Sequence, residues 1–318
     1  MDVGGILQEE VKDIELHLKL SIYELVKQLG SAGGFMASHL YDAAEILYEM
    51  INDKDCYKIV SFTGNLISTG LRGVIAKMID EGFFNAIITT GGALDHDIAR
   101  SFGGKYYKGF FNADDTMLHK LNIHRLGNVF IPVDSYGPLI EKIMFKILDT
   151  LPEGEYSPSR IAFEIGKHIT DENSFLKKAY QKNVPVYVPG IVDSAVGTQI
   201  FFYSQTRKIK LNLFEDMKQI LDSVFESKKL GALIIGGGIS KHHTIWWAQF
   251  KEGLNYSVYI TTASEYDGSL SGAQPREAIT WGKIHPNAKH TTLYCDATIC
   301  LPIIVGYILE KRSMEGKK

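Results

Sequence analysis

Seven short β-rich runs, at 58–62, 86–89, 128–132, 184–188, 232–235, 256–260 and 292–294, punctuate the chain. Between most of them lie stretches of helical periodicity, among them 66–78, 138–151, 174–182 and 212–227. Few folds accept such a pattern. Strands that alternate with helices form βαβ units, whose crossovers place neighbouring strands parallel. The expected fold is therefore α/β: a doubly wound, mostly parallel, Rossmann-like sheet in a single large domain.

The residues after each run carry the next constraint. They are Thr63-Gly64-Asn65, Thr90-Gly91-Gly92, Asp134-Ser135, Pro189-Gly190 leading to Asp193, Gly236-Gly237-Gly238, Thr262-Ala263 and Asp296-Ala297. In an open parallel sheet the carboxyl ends of the strands line one edge, and ligands bind where the strand order reverses. Glycine there serves a tight turn or lets backbone amides approach a phosphate. Its recurrence along the edge points to a large nucleotide. There is no G-x-G-x-x-G after the first strand and no G-x-x-x-x-G-K-[ST], so neither standard phosphate loop is present.

The first fifty residues stand apart from this rhythm: a charged segment from Glu9 to Lys27, a joint at Gly30 to Gly34 and a helix-like run from Leu40 to Ile51. They are expected to form an N-terminal helical extension (1–52) packed on the main domain (53–318). Pro152 to Pro158, PEGEYSP, is the best linker candidate, yet the rhythm resumes after it unchanged. With 318 residues and 45% hydrophobic content the chain can bury a large core. A formal net charge of -3 sets nucleic acid aside. The longest apolar stretch, Leu301 to Leu309, is too short to span a bilayer, and the N-terminus lacks the plan of a signal peptide. Three cysteines, Cys56, Cys295 and Cys300, form no paired framework, which suits a reducing cytoplasm.

Chemistry is concentrated in the long connection after 256–260, which ends on Trp281, Gly282 and Lys283. Structureless connections of this length usually carry function when ordered. Lysine is a nucleophile only when neutral, and an indole supplies an apolar wall that disfavours the ammonium. The other account is that Lys283 simply lies along Trp281 at the surface. Glu277 and Asp267 in the same loop are either solvated charges or partners for a cationic amine. His242 and His243 follow the glycine triplet in GGGISKHH, and on a helix they point about 100° apart, so one alone can face a site. That spacing, with no HExxH elsewhere, argues against a metal. A serine elbow is also missing.

Taken together, DGSLSGAQPREAITWGK, GGGISKHH, TGNLISTGLR and YCDA resemble the deoxyhypusine synthase family in order and rough spacing, from about Lys58 to Lys311. The resemblance implies an NAD-dependent enzyme that moves an aminobutyl group from spermidine, through a lysine imine, to a lysine of the hypusine-containing translation factor. It implies Lys283 as the imine lysine, Trp281 as the wall of the amine site and His242 as a proton carrier. For the cofactor it implies Gly64, Asn65, Ser68, Thr90, Gly91, Asp193, Gly237, Thr262, Ala263, Asp296 and Ala297. The amine would meet Glu277, Asp95, His96, Asp267, Gly268, Leu270 and Thr198, in a homotetramer. Leu270 and Thr198 stand where eukaryotic members have aspartates, Trp246 where they have asparagine, and His96 where they have glutamate. Those changes keep two alternatives open: a related enzyme making a homospermidine-type polyamine, or a weakly active regulatory paralogue.

Overall fold

The computed structural model describes residues 9–316. Six strands form one sheet: β1 (Cys56–Phe62), β2 (Ala86–Ile88), β3 (Val186–Tyr187), β4 (Lys229–Ile235), β5 (Leu254–Thr261) and β6 (Ile284–Tyr294). All neighbours pair in parallel, in the order β6-β5-β4-β1-β2-β3. Read from the other edge this is 3-2-1-4-5-6, the doubly wound order, whose direction reverses between β1 and β4. The two central strands are buried from Ile59 to Phe62 and from Leu230 to Ile235, and almost wholly apolar there, because both of their faces are covered. Val60, Phe62, Leu233 and Ile235 enter the core on one side, whereas Ile59, Ala232 and Ile234 enter a second core on the other.

Seven helices matter for the site: α1 (Ile22–Ala32), α2 (Phe35–Asn52), α3 (Gly91–Ser101), α4 (Ala195–Ser204), α5 (Gly238–Ala248), α6 (Pro275–Ile279) and α7 (Ala297–Met314). A capping box of Ser21 and Glu24 starts α1. Gly33, Gly34 and Phe35, all at positive φ, then turn the chain sharply into α2. Tyr23 stacks on Tyr307 of α7 at 5.1 Å, and its N–H donates to Glu310 Oε2 at 2.8 Å. Met50 of α2 presses on β4 at Gly231, where a Cβ would lie 2.6 Å from the Met50 Sδ. The helices of the extension are thus packed on the sheet and its last helix; residues 1–8 lie outside the described residues. No described helix is long and apolar enough to cross a membrane.

Two expectations are corrected. The run at 128–132 is not a strand of the main sheet: Val129–Pro132 pairs antiparallel with Ile123–Leu126 and with Tyr107–Lys108. Gly127, at φ +59, makes the tight hairpin turn that keeps this run with its local partner. Asp134-Ser135 therefore does not belong to the strand-end edge. Nor is PEGEYSP a linker, since Gly154–Tyr156 within it pairs in parallel with Ile209–Leu211.

Candidate functional site

At the reversal of strand order, the turn after β1 packs on the start of α3. The Gly64 N–H donates to Thr90 Oγ1 at 3.0 Å, and a Cβ on Gly64 would lie 2.6 Å from the Ala93 nitrogen. Close approach of this kind requires glycine. Helices α3 and α5 are preceded by the N-cap residues Thr90 and Gly237, and neither makes a side-chain capping bond. Their first amides therefore form a positive cradle suited to phosphate. By contrast α4 and α7 are capped, Ser194 accepting from the Gly197 N–H and Asp296 from the Thr298 N–H. Asn65 Oδ1 accepts from Thr63 Oγ1 at 2.6 Å, and the buried Ser68 donates to the Asn65 carbonyl at 2.7 Å. Gly91 lies against Ser194, whose Cβ would be 2.3 Å from a Cβ there. Asp193, Thr262 and Asp296 are exposed along the same edge, with Ala263 partly and Ala297 fully covered. Two uncapped helix starts flanking the reversal point, with carboxylates at the rim, fit a dinucleotide.

Lys283 lies elsewhere. Its carbonyl accepts the Leu254 N–H at 3.1 Å, level with the start of β5 and thus at the opposite end of the sheet from the cradle. Gly253, at φ +87, allows this contact; a Cβ there would lie 2.6 Å from the Ile284 carbonyl carbon. The Lys283 Nζ lies over two indoles, 5.4 Å from the Trp281 centroid and 5.6 Å from that of Trp246. Helix α5 links the two ends of the sheet. It starts in the cradle at Gly238 and descends about 1.5 Å per residue, so Trp246 sits about 12 Å further along. His242 stacks on Trp246 at 5.6 Å and 29°. Burial, and then the nearby Lys283 charge, hold His242 below its ordinary range, which leaves it neutral near pH 7. His243 points away, its Nε2 accepting the Trp247 indole N–H at 3.0 Å, and burial pushes it down to about 4.

The carboxylates nominated for an amine are differently employed. Asp95 is buried and accepts from the Ala195 and Val196 N–H groups at 2.9 and 2.8 Å and from the Tyr136 hydroxyl at 2.9 Å. It is a second cap for α4. His96 bonds through Nδ1 to the Tyr106 hydroxyl at 2.8 Å, and burial lowers it to about 4. Asp267 accepts from the Ser269 N–H and hydroxyl at 3.1 and 3.0 Å, within the turn that contains Gly268. Glu277 is exposed on α6. Thr198 bonds back to the Ser194 carbonyl on α4, and Leu270 is exposed at φ +59.

Sequence reasoning missed Lys241. It is 6% exposed, and its Nζ donates to the carbonyls of Leu270, Ser271 and Ala273 at 3.1, 3.3 and 2.8 Å while lying 4.6 Å over the Tyr259 ring. It fastens the loop to α5. Burial lowers it to about 8, against the raising field of Glu277. Its spacing from Ile245 and Ala248, four and seven residues on, places it on a buried stripe that helical periodicity would have shown.

A doubly wound parallel sheet, with two uncapped helix starts near its reversal point and a lysine walled by two indoles, has the layout of an α/β enzyme. Residues 24–308 match the family model described as deoxyhypusine synthase. The chain is 55% identical to a probable deoxyhypusine synthase of Sulfurisphaera tokodaii, over 96% of this chain and 98% of that one. It is 52% identical to that of Sulfolobus acidocaldarius with the same coverage. An assigned deoxyhypusine synthase from Entamoeba histolytica, known by crystal structure, shares the fold with a TM-score of 0.64 at 18% identity, covering 94% and 97% of the two chains. The chain belongs to the deoxyhypusine synthase family, whose members transfer an aminobutyl group.

Proposed function

We propose that this chain takes the aminobutyl group of spermidine or a related amine onto Lys283 as an imine and passes it to a lysine of the hypusine-containing translation factor. The observation that carries this is the Lys283 Nζ over Trp246 and Trp281 with His242 alongside. A neutral His242 accepts the proton that Lys283 must shed before its nitrogen displaces the departing amine. The indoles wall the nitrogen, and covering of their exposed faces in an assembly would keep water from the imine until an acceptor lysine arrives. Gly64, Asn65, Ser68, Thr90, Gly91, Asp193, Gly237, Thr262, Ala263, Asp296 and Ala297 would hold NAD. When bound, NAD supplies hydride acceptance and its later return.

Exposed apolar side chains on α4, α5 and the helix Leu213–Glu226, including Phe201, Ile239 and Phe214, support a homotetramer in which these faces are covered. A second reading is a homospermidine-type synthase, favoured by the engagement of Asp95 and Asp267 in local bonds. Incubation with NAD, labelled spermidine and the translation factor, followed by borohydride and mass spectrometry, tests both. Label on the peptide of Lys283, and its loss in Lys283→Ala, is expected. Label elsewhere refutes the assignment, and a free polyamine product with an unmodified factor selects the second reading.

A further inference from the structure

An enzyme that draws a polycation to one lysine needs something to hold the cation, and of the nominated carboxylates Asp95, Asp267 and Glu277 two are committed to local bonds. Asp95 caps α4 and Asp267 closes its own turn. Glu277 stays exposed on α6, its carboxylate in no ion pair among the described residues. Lys283 itself forms no ion pair among the described residues. What its side-chain nitrogen meets is two ring faces, brought from different elements: Trp246 from the third turn of α5 and Trp281 from the segment after α6. Both rings have surface to offer, at 41% and 68% exposure. Trp246 is also held in place, because His242 stacks on it one turn earlier.

We propose that Trp246 is a specificity-determining residue of the amine site. With Trp281 it forms a two-indole wedge that takes one ammonium group and the methylenes beside it by ring faces rather than by paired carboxylates. The Lys283 Nζ, 5.4 and 5.6 Å from the two ring centroids, marks where an amine nitrogen fits between the rings. Indole is the best aromatic partner for a cation, contributing about 0.5–2 kcal/mol. It also covers methylenes, each worth about 0.8 kcal/mol when buried. A ring face has no fixed polar counterpart further along the ligand. The wedge therefore selects amines with one cation flanked by an apolar run, and it is tolerant of where the next nitrogen falls. This rests on the reading that Lys283 carries the imine.

The test uses the full chain as wild type, Trp246→Phe and Trp246→Gln. Intrinsic fluorescence is titrated with spermidine, with putrescine and with 1,4-butanediol as an uncharged control. Borohydride capture on Lys283 is measured in parallel at saturating spermidine with NAD. The expected result is a spermidine Kd raised about 2- to 30-fold in Trp246→Gln, the range that the cation–ring energy converts to, and raised less in Trp246→Phe. The diol should produce no saturable change. A Trp246→Gln chain that binds spermidine as tightly as wild type overturns the proposal, as does a diol that binds like putrescine. If Trp246→Gln fails to fold, Trp246→Phe decides, an unchanged Kd refuting and a several-fold weakening supporting. Absence of capture in the wild type would sink the imine reading instead, while the titrations would still report on the wedge.

Discussion

Lys241 has one full set of acceptors and no way to be replaced by a neutral group of equal reach. The ammonium has three N–H donors, and Leu270, Ser271 and Ala273 receive them. Lys241→Met keeps the stem and removes the donors, leaving three carbonyls to find water. The expected cost is about 1–3 kcal/mol, and limited proteolysis should cut within 264–274 faster than in wild type; an unchanged cleavage rate would contradict the fastening role. Leu270, whose carbonyl faces this ammonium, holds a left-handed backbone that disfavours leucine, a local strain of the kind found at functional loops. At this scale the sequence was partly legible. Lys283 and Trp281 are two residues apart and announced each other. Trp246 reaches the same nitrogen only because α5 runs down the sheet, and no local pattern carries that distance. The engagement of Asp95 was equally hidden, since its partners lie a hundred residues on at the start of α4.

Among the elements, β5 and β6 decide where the lysine stands. Gly253 brings the backbone of Ile284 within contact of its own, in a conformation that favours glycine and leaves no room for a Cβ. Gly253→Ala should push the start of β6 outward and misplace Lys283, with kcat falling at least tenfold while the fold survives. Circular dichroism and turnover together check this, and wild-type turnover would show that the approach is dispensable. The strands of the main sheet were legible because fully buried strands are continuously apolar. The run at 128–132 has the same composition and misled for that reason: composition does not say which partner a short strand finds, and Gly127 had already given it one.

For the whole molecule, the buried His96 and the half-buried His243 weigh most on the acid side. His96 and His243 are each held near 4, below the ordinary 6.5, chiefly by burial. Between those values the unfolded chain takes up protons that the folded chain refuses, so stability is lost as pH falls from about 6.5 towards 4. At pH 5.5 the loss is on the order of 1 kcal/mol for each histidine. A lower Tm at pH 5.5 than at pH 7 is expected, and His243→Gln, which keeps an acceptor for Trp247 but does not titrate, should remove roughly half of the drop. A Tm indifferent to pH over that window would show that both rings are protonated in place. The doubly wound order was legible in the alternation of strands and helices. The position of Lys283 was not, because a lysine that precedes a strand begins at that strand's far end, and only the register of β6 on β5 reveals it. That position has a consequence for genetics. On the proposed assignment the cofactor and the imine lysine stand at opposite ends of the sheet in one chain, so a complete site would draw on two copies. Co-expressing Lys283→Ala with Gly237→Trp, each inactive alone, should restore a fraction of wild-type turnover in the mixed assemblies. Mixtures as inert as their parents would mean that each copy serves only itself.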